Sequence, residues 1–325
     1  MPDVLLTGGS GFVGGGILRR LVADGRSVRA LVRSERAAEA VTDAGAEAVR
    51  GDVTDLGSLA AAVAGCRVVY HAAGLNATCL RDPDRLDRVN VAGTRNVIVC
   101  AARAGAERIV YTSSAATVGA PDGVVAVETT PHRGYYLSRY ERSKHAAEMA
   151  AFAQAARLGI PLVAVNPASV HGPGRSTGSA RIFIAYLRGR LRFAIRATFS
   201  LVFIDDVADA HLRAEELGVP GERYLVSGWV TTTSEATTTL GKITGHQRRV
   251  MFLPRWTMTT AGAFGGALSA ITRKDTSVCP EVARTLRHDH VFDGSRARRD
   301  LGIEYTPPEV WLVRTVDWYR AQGLV

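Results

Sequence analysis

Tyr140 and Lys144 are the pair of residues in this sequence whose types and spacing best suit proton transfer. They stand four positions apart in a segment with a helical pattern, so both side chains project from one face of a helix. A free phenol, with a pKa of about 10, is a poor acid–base catalyst at neutral pH. An ammonium group one helical turn away favours the phenolate form and makes such a phenol useful. The alternative is an ordinary exposed pair on a helix surface.

Two serines at the end of a predicted strand offer a hydroxyl to the same site. The strand Arg108–Thr112 is followed by Ser113 and Ser114, at the edge of the sheet where the helix of Tyr140 begins. A hydroxyl at this place can hydrogen-bond a substrate carbonyl beside the phenol. The alternative for both serines is capping of a turn or helix, and it weighs more heavily for Ser113.

A glycine cluster near the N-terminus predicts a dinucleotide site. The segment 7–14 reads TGGSGFVG and lies between a short apolar strand and a helical pattern. Gly8 permits a sharp turn, Gly11 permits close approach of a pyrophosphate, and Gly14 permits close packing of the helix on the strand. The helix would then direct its free N–H groups and positive dipole end at the phosphates. Three glycines alone would also suit an ordinary glycine-rich loop.

Strands and helices alternate through the first half of the sequence. This alternation must position the side chains and the glycine cluster described above. The predicted strands are mostly apolar and lack polar alternation, which is typical of a parallel sheet covered on both faces. We predict an α/β fold, with a doubly wound parallel (Rossmann) sheet and a smaller C-terminal α/β lobe for the substrate. The dinucleotide-binding domain is assigned to residues 1–166, with its core continued after residue 200, and the substrate lobe mainly to residues 167–325.

Composition argues against several other classes of protein. The net charge is +9, but the charge is nearly all scattered arginine, so no nucleic-acid partner is expected. Cys66, Cys79, Cys100 and Cys279 lack metal-ligand spacing and are predicted to be buried thiols in a reducing compartment. No signal peptide precedes the first strand, which predicts a cytoplasmic protein. The apolar stretch 256–272 is too short for a membrane span and is interpreted as a surface or lid helix.

Eight short motifs follow one another in an order that resembles the extended short-chain dehydrogenase/reductases. They are TGGSGFVG (7–14), GDVTD (51–55), HAAG (71–74), NVAGT (90–94), YTSSAATVG (111–119), YERSK (140–144), IDDVADAH (204–211) and FDGSRARRDLG (292–302). The likeness covers essentially the whole chain. Within the family it is greatest to dihydroflavonol-reductase-like and hopanoid-associated sugar-epimerase-like members.

This resemblance implies an NAD(P)-dependent oxidoreductase whose catalytic triad is Ser114, Tyr140 and Lys144. It matches Asn90 to the family's helix-kink asparagine, with a supporting role. It also implies that segment 52–53 lies along the adenine, segment 72–74 under the pyrophosphate and ribose, and segment 166–168 near the nicotinamide. The residues expected to bind the cofactor are Thr7, Gly8, Ser10, Gly11, Phe12, Val13, Gly14, Arg33, Ser34, Asp52, Val53, Ala72, Ala73, Gly74, Asn90, Thr112, Pro167 and Ala168.

The end of the second strand predicts NADP(H) rather than NAD(H) as cofactor. In NAD enzymes an acidic residue at this place bonds the ribose 2′-hydroxyl. This chain instead has Arg33 followed by Ser34, with Arg36 close behind. A guanidinium suits the dianionic 2′-phosphate of NADP(H) and offers little to a neutral hydroxyl. A solvated strand end is the alternative for Arg33.

These features predict an NADP-dependent reductase that delivers hydride to a ketone or aldehyde, with Tyr140 as general acid. A nucleotide-sugar 4-epimerase or dehydratase with the same triad is the alternative, and a non-catalytic cofactor-sensing regulator is a third reading. Family members that bind nucleotide sugars typically carry an arginine shortly before the Asp-Asp of the second lobe. Phe199 occupies that place here, although Arg192 and Arg196 lie nearby. The aromatic residues of this lobe favour a bulky aromatic or polyketide-like ketone of secondary metabolism.

Four residues are expected to contact the substrate: Ser113, His171, Phe199 and Phe203. His171 is included because it lies in the loop after Pro167, over the expected nicotinamide position. Two other histidines are interpreted as structural. His71 ends a buried strand, and His145 is turned about 100° from the neighbouring lysine on its helix.

The two long predicted helices, 84–104 and 136–158, also predict a homodimer. They carry more small and apolar residues than one buried face requires: Val97, Val99, Ala147, Ala151 and Ala155. Relatives with this architecture commonly pair these helices across a two-fold axis into a four-helix bundle. The alternative is that the alanines reflect only the composition of the chain.

Overall fold

A seven-stranded parallel sheet lies at the centre of the protein. The computed structural model describes residues 2–263 and 279–325. In sheet order the strands are β11 (Arg223–Val226), β7 (Leu162–Pro167), β5 (Arg108–Thr112), β4 (Val68–His71), β1 (Val4–Thr7), β2 (Val28–Val32) and β3 (Glu47–Arg50). Every neighbouring pair is parallel. The predicted doubly wound sheet is therefore confirmed, and its last strand comes from the second half of the chain.

Helices cover both faces of this sheet. One layer contains α1 (Phe12–Ala23), α2 (Glu35–Asp43) and α8 (Ile204–Glu216). The other contains α3 (Leu56–Val63), α5 (Gly93–Arg103) and α6 (Arg139–Leu158). Strand β1 shows why two layers form, since Val4 and Leu6 belong to the first core and Leu5 to the second, all at 1% exposure or less. Burying each such side chain contributes about 1.5–3 kcal/mol.

The order of the strands reverses between β1 and β4, and this reversal sets the position of the site. The chain builds β1, β2 and β3 outward in one direction and then returns to β4, β5 and β7 on the other side. In open parallel sheets the crevice at such a switch point, at the carboxyl ends of the strands, is where ligands bind. The glycine cluster after β1 and the segment after β4 both begin at that crevice.

Both long helices differ in detail from their predicted bounds. The helix predicted over 84–104 starts as α4 (Asp84–Leu86), passes through a π-helical turn (Asp87–Ala92) and continues as α5. The helix predicted from Tyr136 begins at Arg139, because the Ser138 hydroxyl accepts from the Glu141 N–H and caps its N-terminus. Helix α6 thus begins one residue before Tyr140.

Most of the residues after β7, apart from α8 and β11, build a second lobe over the carboxyl edge of the sheet. Its three-stranded sheet contains β8 (Ser169–His171), β10 (Thr198–Phe203) and β12 (Trp229–Thr232), and two pairs of short strands flank it: β9 (Phe193–Ile195) with β13 (Met251–Leu253), and β6 (Val125–Ala126), which comes from before β7, with β14 (Val291–Phe292). Its helices are α7 (Ala180–Leu187), α9 (Thr233–Thr244), α10 (Pro280–Arg287), α11 (Ser295–Leu301) and α12 (Pro308–Ala321).

The apolar stretch 256–272 is only partly within the described chain. A helix begins at residue 257 and is described as far as residue 263. The remaining residues of the predicted surface or lid helix lie outside the described residues. Among the helices that the structure describes, none is long and apolar enough to cross a membrane.

The prediction of four buried thiols is wrong for two of the cysteines. Cys79 and Cys279 form a disulfide, with their Cα atoms 5.9 Å apart and 200 positions between them in the sequence. Local spacing gives no sign of this pairing, because only the fold brings the two segments together. Cys66 and Cys100 are free and buried as predicted, and burial raises the pKa of each thiol.

The residues that suggested a dimer are mostly used inside the subunit. Val97, Ala151 and Ala155 are each at most 4% exposed, because they pack between α5, α6 and the sheet, and Ala147 is fully buried as well. Val99 alone is half-buried. Four of the five side chains are therefore buried within the subunit and are not part of an exposed helix face, and the homodimer stays a prediction.

Candidate active site

The glycine cluster forms a cradle at the switch point between β1 and β4. Gly8 has φ +79°, and a Cβ built on it would lie 2.6 Å from the Ala73 nitrogen. A Cβ on Gly14 would overlap the Gly8 carbonyl oxygen, whereas one on Gly11 would meet only that same oxygen, at 3.2 Å. Gly11 is also the N-cap of α1 and supplies no side-chain cap. The free N–H groups of this turn and its bare backbone fit a dinucleotide pyrophosphate.

Thr7 and His71 fasten the ends of β1 and β4 beneath this cradle. The Thr7 hydroxyl lies 2.7 Å from His71 Nδ1 and accepts from the Ala73 N–H at 3.2 Å. His71 Nε2 lies 2.9 Å from the Thr94 hydroxyl. Burial, with a smaller contribution from the charge of Lys144, lowers the pKa of His71 to about 3. The imidazole is therefore neutral, and the structural role predicted for His71 is confirmed.

Arg33 and Asp52 lie just after the carboxyl ends of β2 and β3, where the sequence predicts the adenine. Arg33 Nη1 lies 3.8 Å from an Asp52 carboxylate oxygen, and the two side chains are 64% and 37% exposed. The Ser34 hydroxyl accepts from the Ala37 N–H and caps α2. Val53 is buried. The guanidinium of Arg33 is thus held only weakly and remains accessible to a phosphate.

Lys144 is buried on α6 and its ammonium group is held in a fixed position. Its Nζ donates to the Thr112 carbonyl at 3.0 Å and to the Tyr111 hydroxyl at 3.1 Å. Burial lowers the pKa of Lys144, while Tyr140 and Glu148 act in the opposite direction. Tyr140 is half-buried, and its hydroxyl has no hydrogen-bond partner within the described part of the chain. A phenol available to a ligand therefore lies one helical turn from a fixed cation.

The sequence favoured capping by Ser113, but in the structure Ser114 is the residue that caps a helix. Ser114 Oγ accepts from the Ala116 N–H at 3.3 Å and caps a short 3₁₀ helix, yet Ser114 remains half-buried. Its own O–H is left to donate elsewhere. Ser113 caps nothing and is buried at 6% exposure, so the expected substrate contact of Ser113 is wrong. Side chains alternate along extended backbone, which turns one serine inward and the other toward the crevice.

Asn90 lies in the π-helical turn before α5 and joins three segments. Its Nδ2 donates to the Ser143 hydroxyl at 2.9 Å and to the Leu75 carbonyl at 3.1 Å, and its Oδ1 accepts from the Leu75 N–H at 2.7 Å. Ser143 in turn donates to the Tyr140 carbonyl at 2.8 Å. The buried amide therefore connects the segment after β4 to the first turns of α6. Its contacts belong to the protein's own backbone and side chains.

A buried polar network that the sequence did not reveal supports the Ser114 segment. Glu148 on α6 pairs with Arg223 at 2.8 Å and accepts from the Thr117 hydroxyl and the Asn166 amide. Asn166 also donates to the Ser114 carbonyl at 3.1 Å. The Nδ2 group of Asn166 is therefore occupied beneath the site, while Pro167 and Ala168 continue past it at the carboxyl end of β7. Spacing gives no sign of this network, because its members come from four separate segments.

Arg175 is a second residue that sequence analysis missed. It follows β8 and donates from Nη1 to the Val170 carbonyl at 2.5 Å, and its guanidinium stacks over the Phe12 ring with 5.7 Å to the centroid. Burial lowers the pKa of Arg175, while the nearby Tyr140 and Tyr319 act in the opposite direction. No carboxylate of the described chain lies within ion-pair distance of it. This places a cation between the glycine cradle and the phenol.

The remaining substrate contacts expected from the sequence are not supported. His171 is fully buried, lies 2.9 Å from the Ser179 hydroxyl and packs at a tilt against the Phe183 ring, so it belongs to the core. Phe203 is 1% exposed and stacks on Trp311 at 6.2 Å between ring centroids. Both predictions are wrong, because each side chain turns into the lobe. Phe199 is half-buried against the core.

His145 has the structural role that was predicted, and Thr112 contacts two different residues through its hydroxyl and its carbonyl. His145 Nδ1 lies 2.9 Å from the Thr117 carbonyl oxygen, and its ring packs against that of His132. The Thr112 hydroxyl lies 2.8 Å from His211 Nε2, so its carbonyl, and not its hydroxyl, reaches Lys144. The structure thus brings together the ends of β1, β4, β5 and β7 with the first turns of α1 and α6 around one crevice.

Comparison with known proteins gives consistent results. Residues 4–227 match the NAD dependent epimerase/dehydratase family. The chain is 32% identical over 328 residues to sterol demethylase protein B of Methylococcus capsulatus, covering 99% of both chains. It is 30% identical to a 4-hydroxy-2-methyl-3-oxo-4-farnesyl-3,4-dihydroquinoline-1-oxide ketoreductase of Stigmatella aurantiaca, covering 91% of this chain and 90% of the relative.

Two solved structures extend the comparison to the fold. The crystal structure of gox2253 superposes with a TM-score of 0.86 at 27% identity and covers all of both chains. UDP-glucose 4-epimerase of Thermotoga maritima, solved with UDP-glucose, superposes with a TM-score of 0.80 at 21% identity, covering 98% of this chain and 99% of the epimerase.

Proposed function

The chain belongs to the NAD dependent epimerase/dehydratase family, and we propose that within it the protein is an NADPH-dependent ketoreductase. It is an oxidoreductase of the extended short-chain type, and the proposal concerns its reaction, cofactor and substrate class. One arrangement carries the proposal. The Lys144 ammonium, fixed by the Thr112 carbonyl at 3.0 Å, stands one helical turn from the free phenol of Tyr140 and beside the strand end that leads to Ser114.

The chemistry of the proposed reaction divides among three side chains. A bound nicotinamide supplies hydride to the carbonyl carbon. Ser114 donates its O–H to the carbonyl oxygen and polarises it, while its Oγ is held by the Ala116 N–H. Tyr140 transfers its proton to the same oxygen as negative charge develops there. Lys144 and, farther away, Arg175 stabilise the phenolate that remains.

The choice of NADPH over NADH rests on Arg33. No acidic residue occupies the end of β2, and the guanidinium there is mostly exposed and only loosely paired with Asp52. A 2′-phosphate offers a fully charged partner at the place where NAD enzymes need a carboxylate. The Oδ1 atom of Asp52 accepts hydrogen bonds from the N–H and the hydroxyl of Thr54. The Asp52 carboxylate is therefore poorly suited to bind a ribose hydroxyl.

The proposed substrate is a bulky carbonyl compound that is mainly apolar. The position where nucleotide-sugar relatives carry their arginine is Phe199, which is half-buried. Arg196, the nearest alternative, is exposed and stacks over the Phe252 ring at 5.6 Å. A diphosphate brought into such a site would lose hydration without gaining charged partners from these positions. The names of two relatives, a sterol demethylase protein and a farnesyl-quinoline ketoreductase, agree with a large apolar substrate.

A screen of ligands on the NADPH-loaded protein tests this proposal. We expect bulky aromatic or polycyclic ketones to raise the melting temperature and to consume NADPH in proportion to alcohol formed. UDP- and dTDP-sugars should neither stabilise the protein nor compete. Stabilisation by a nucleotide sugar, with interconversion of its epimers and no net use of cofactor, would instead make the protein an epimerase. Cofactor binding without turnover of any carbonyl compound would favour a sensor.

A further inference from the structure

The disulfide between Cys79 and Cys279 connects the second lobe to the segment that follows β4. Cys79 lies in residues 72–83, which lead from the cradle to α4, and Cys279 directly precedes α10. Cys79 has φ +59° and is the sole non-glycine residue of the described chain with a positive φ. This region of backbone conformation is unfavourable for a residue with a Cβ, so the surrounding structure must hold Cys79 there.

Polar contacts from α10 reinforce the same connection. Glu281 accepts from the Cys79 N–H at 3.4 Å and from the Arg139 N–H at 3.3 Å. Arg284 donates to the Leu137 carbonyl at 3.0 Å. One helix of the lobe therefore contacts both the segment after β4 and the N-terminus of α6, immediately before Tyr140. We call Cys79, Cys279, Glu281 and Arg284 the lobe latch.

The segment between the cradle and Cys79 is anchored at both ends. At its start, Leu75 exchanges two hydrogen bonds with the Asn90 amide, which also holds Ser143 on α6. At its end, the disulfide holds Cys79. Breaking the disulfide would free one anchor and allow Cys79 to leave its unfavourable conformation. The contacts of α10 with the segment after β4 and the start of α6 would then depend on Glu281 and Arg284.

We propose that the Cys79–Cys279 disulfide is a redox-sensitive control of substrate binding, on the premise that the site is the reductase site proposed above. With the disulfide formed, α10 stays closed against the segment after β4 and the first turn of α6. With it reduced, the lobe loosens on the substrate side. The glycine cluster 7–14 and Arg33 lie on other segments, and residues 72–74 precede the anchor at Leu75, so the affinity for the cofactor is kept.

The proposed reductant is a dithiol, such as a protein with a paired-cysteine centre. Its thiolate attacks the sulfur of Cys79, which is half-buried, whereas Cys279 is 7% exposed. The sulfur–sulfur bond breaks, Cys279 leaves as thiolate and takes up a proton, and the mixed disulfide on Cys79 is resolved by the second thiol. Two electrons and two protons pass to the cysteines, and the dithiol becomes a disulfide. Cys66 and Cys100 are buried and are not part of this exchange.

The test compares the oxidised protein with protein treated with dithiothreitol, after mass labelling confirms two new thiols at positions 79 and 279. We expect reduction to raise KM for the ketone about tenfold, with kcat and the Kd for NADPH changed less than about twofold. Hydrogen exchange should become faster in residues 75–83 and at the start of α6. Reoxidation should restore both quantities.

Variants separate this effect from general damage. Cys79→Ser should match the reduced protein and no longer respond to dithiothreitol, whereas Cys100→Ser should respond like the unchanged chain. Hydrogen exchange needs no substrate, so a faster exchange in a protein that reduces no ketone would support the latch and refute the ketoreductase. Unchanged exchange and unchanged KM after confirmed reduction would overturn the latch itself.

Discussion

The amide of Asn90 donates to the hydroxyl of Ser143 at 2.9 Å and thereby joins the π-helical turn to α6. Ser143 passes the connection on, since it donates to the Tyr140 carbonyl at 2.8 Å. Both residues are buried, at 2% and 0% exposure. Asn90 thus acts on the site through the backbone that carries the phenol, which assigns it a positioning role. The wider helical turn at Asp87–Ala92 is what turns its side chain toward α6.

Asn90→Ala should therefore damage both stability and turnover. The substitution leaves the Leu75 N–H and carbonyl without the Asn90 amide and removes one of the two partners of the Ser143 hydroxyl, which should lower the free energy of unfolding by about 2 kcal/mol. Urea denaturation and kcat measure the two effects. Asn96→Ala is the matched control, because Asn96 makes one bond to the Val53 carbonyl and should cost about 1 kcal/mol or less, with normal kcat. A double substitution with Ser143→Ala that is fully additive would contradict the connection.

Arg33→Ala should narrow the preference for NADPH over NADH. The loss of one charged partner for the 2′-phosphate predicts about a tenfold smaller ratio of the two kcat/KM values, mainly through KM for NADPH. Arg50→Ala is the control, because Arg50 is an exposed arginine at the end of the neighbouring strand and pairs with Glu35. Equal efficiency of the unchanged protein with both cofactors would refute the prediction.

Arg223→Met should destabilise the protein by leaving a buried carboxylate without its cation. Glu148 is 2% exposed on its side chain, and the remaining contacts to Thr117 and Asn166 do not neutralise its charge. We expect a loss of about 3 kcal/mol in the free energy of unfolding. Arg213→Met, at an ion pair with Glu216 whose side chains are 54% and 60% exposed, should change it by less than about 0.5 kcal/mol. Similar losses in the two variants would contradict this account of the network.

Asp206 should make stability depend on pH in mildly acidic solution. Burial raises the pKa of Asp206 to about 6 from 3.8, although Thr306 donates two hydrogen bonds to its carboxylate. The folded protein keeps this proton to higher pH than the unfolded chain, so the contribution to stability is present below pH 4 and is lost as the pH rises to 6. Relative to Asp206→Asn, the unchanged protein should lose on the order of 2 kcal/mol across this window. Parallel pH profiles of the two proteins would contradict the prediction.

The parts of the fold that could be predicted correctly depend on residues that are close together in the sequence. The cradle could be located because Gly8, Gly11 and Gly14 recur at a fixed spacing within seven positions between a strand and a helix, although the close backbone contact of Gly8 is with distant Ala73. The pair of Tyr140 and Lys144 could be located because one helical turn fixes their relation. The sheet was predictable because its strands are short, apolar and separated by helices.

The errors concern residues whose position depends on distant parts of the chain. Phe203 ends β10, the middle strand of its sheet, and only the packing of Trp311 from α12 shows that its ring turns inward. The partners Cys79 and Cys279 are 200 positions apart, so no spacing rule relates them. Asn90 matched a family motif, but its bonds to Leu75 and Ser143 could not be predicted without the π-helical turn.

The central claim is that Tyr140 protonates a carbonyl oxygen during hydride transfer from NADPH. The most direct test measures the oxidation of NADPH in the presence of a ketone that the unchanged protein reduces. The rate is compared among the unchanged protein, Tyr140→Phe and, as an exposed control, Tyr135→Phe. We predict that Tyr140→Phe lowers kcat ~10²-fold or more with little change in the Kd for NADPH, and that Tyr135→Phe stays near normal. Near-normal turnover by Tyr140→Phe would contradict the account.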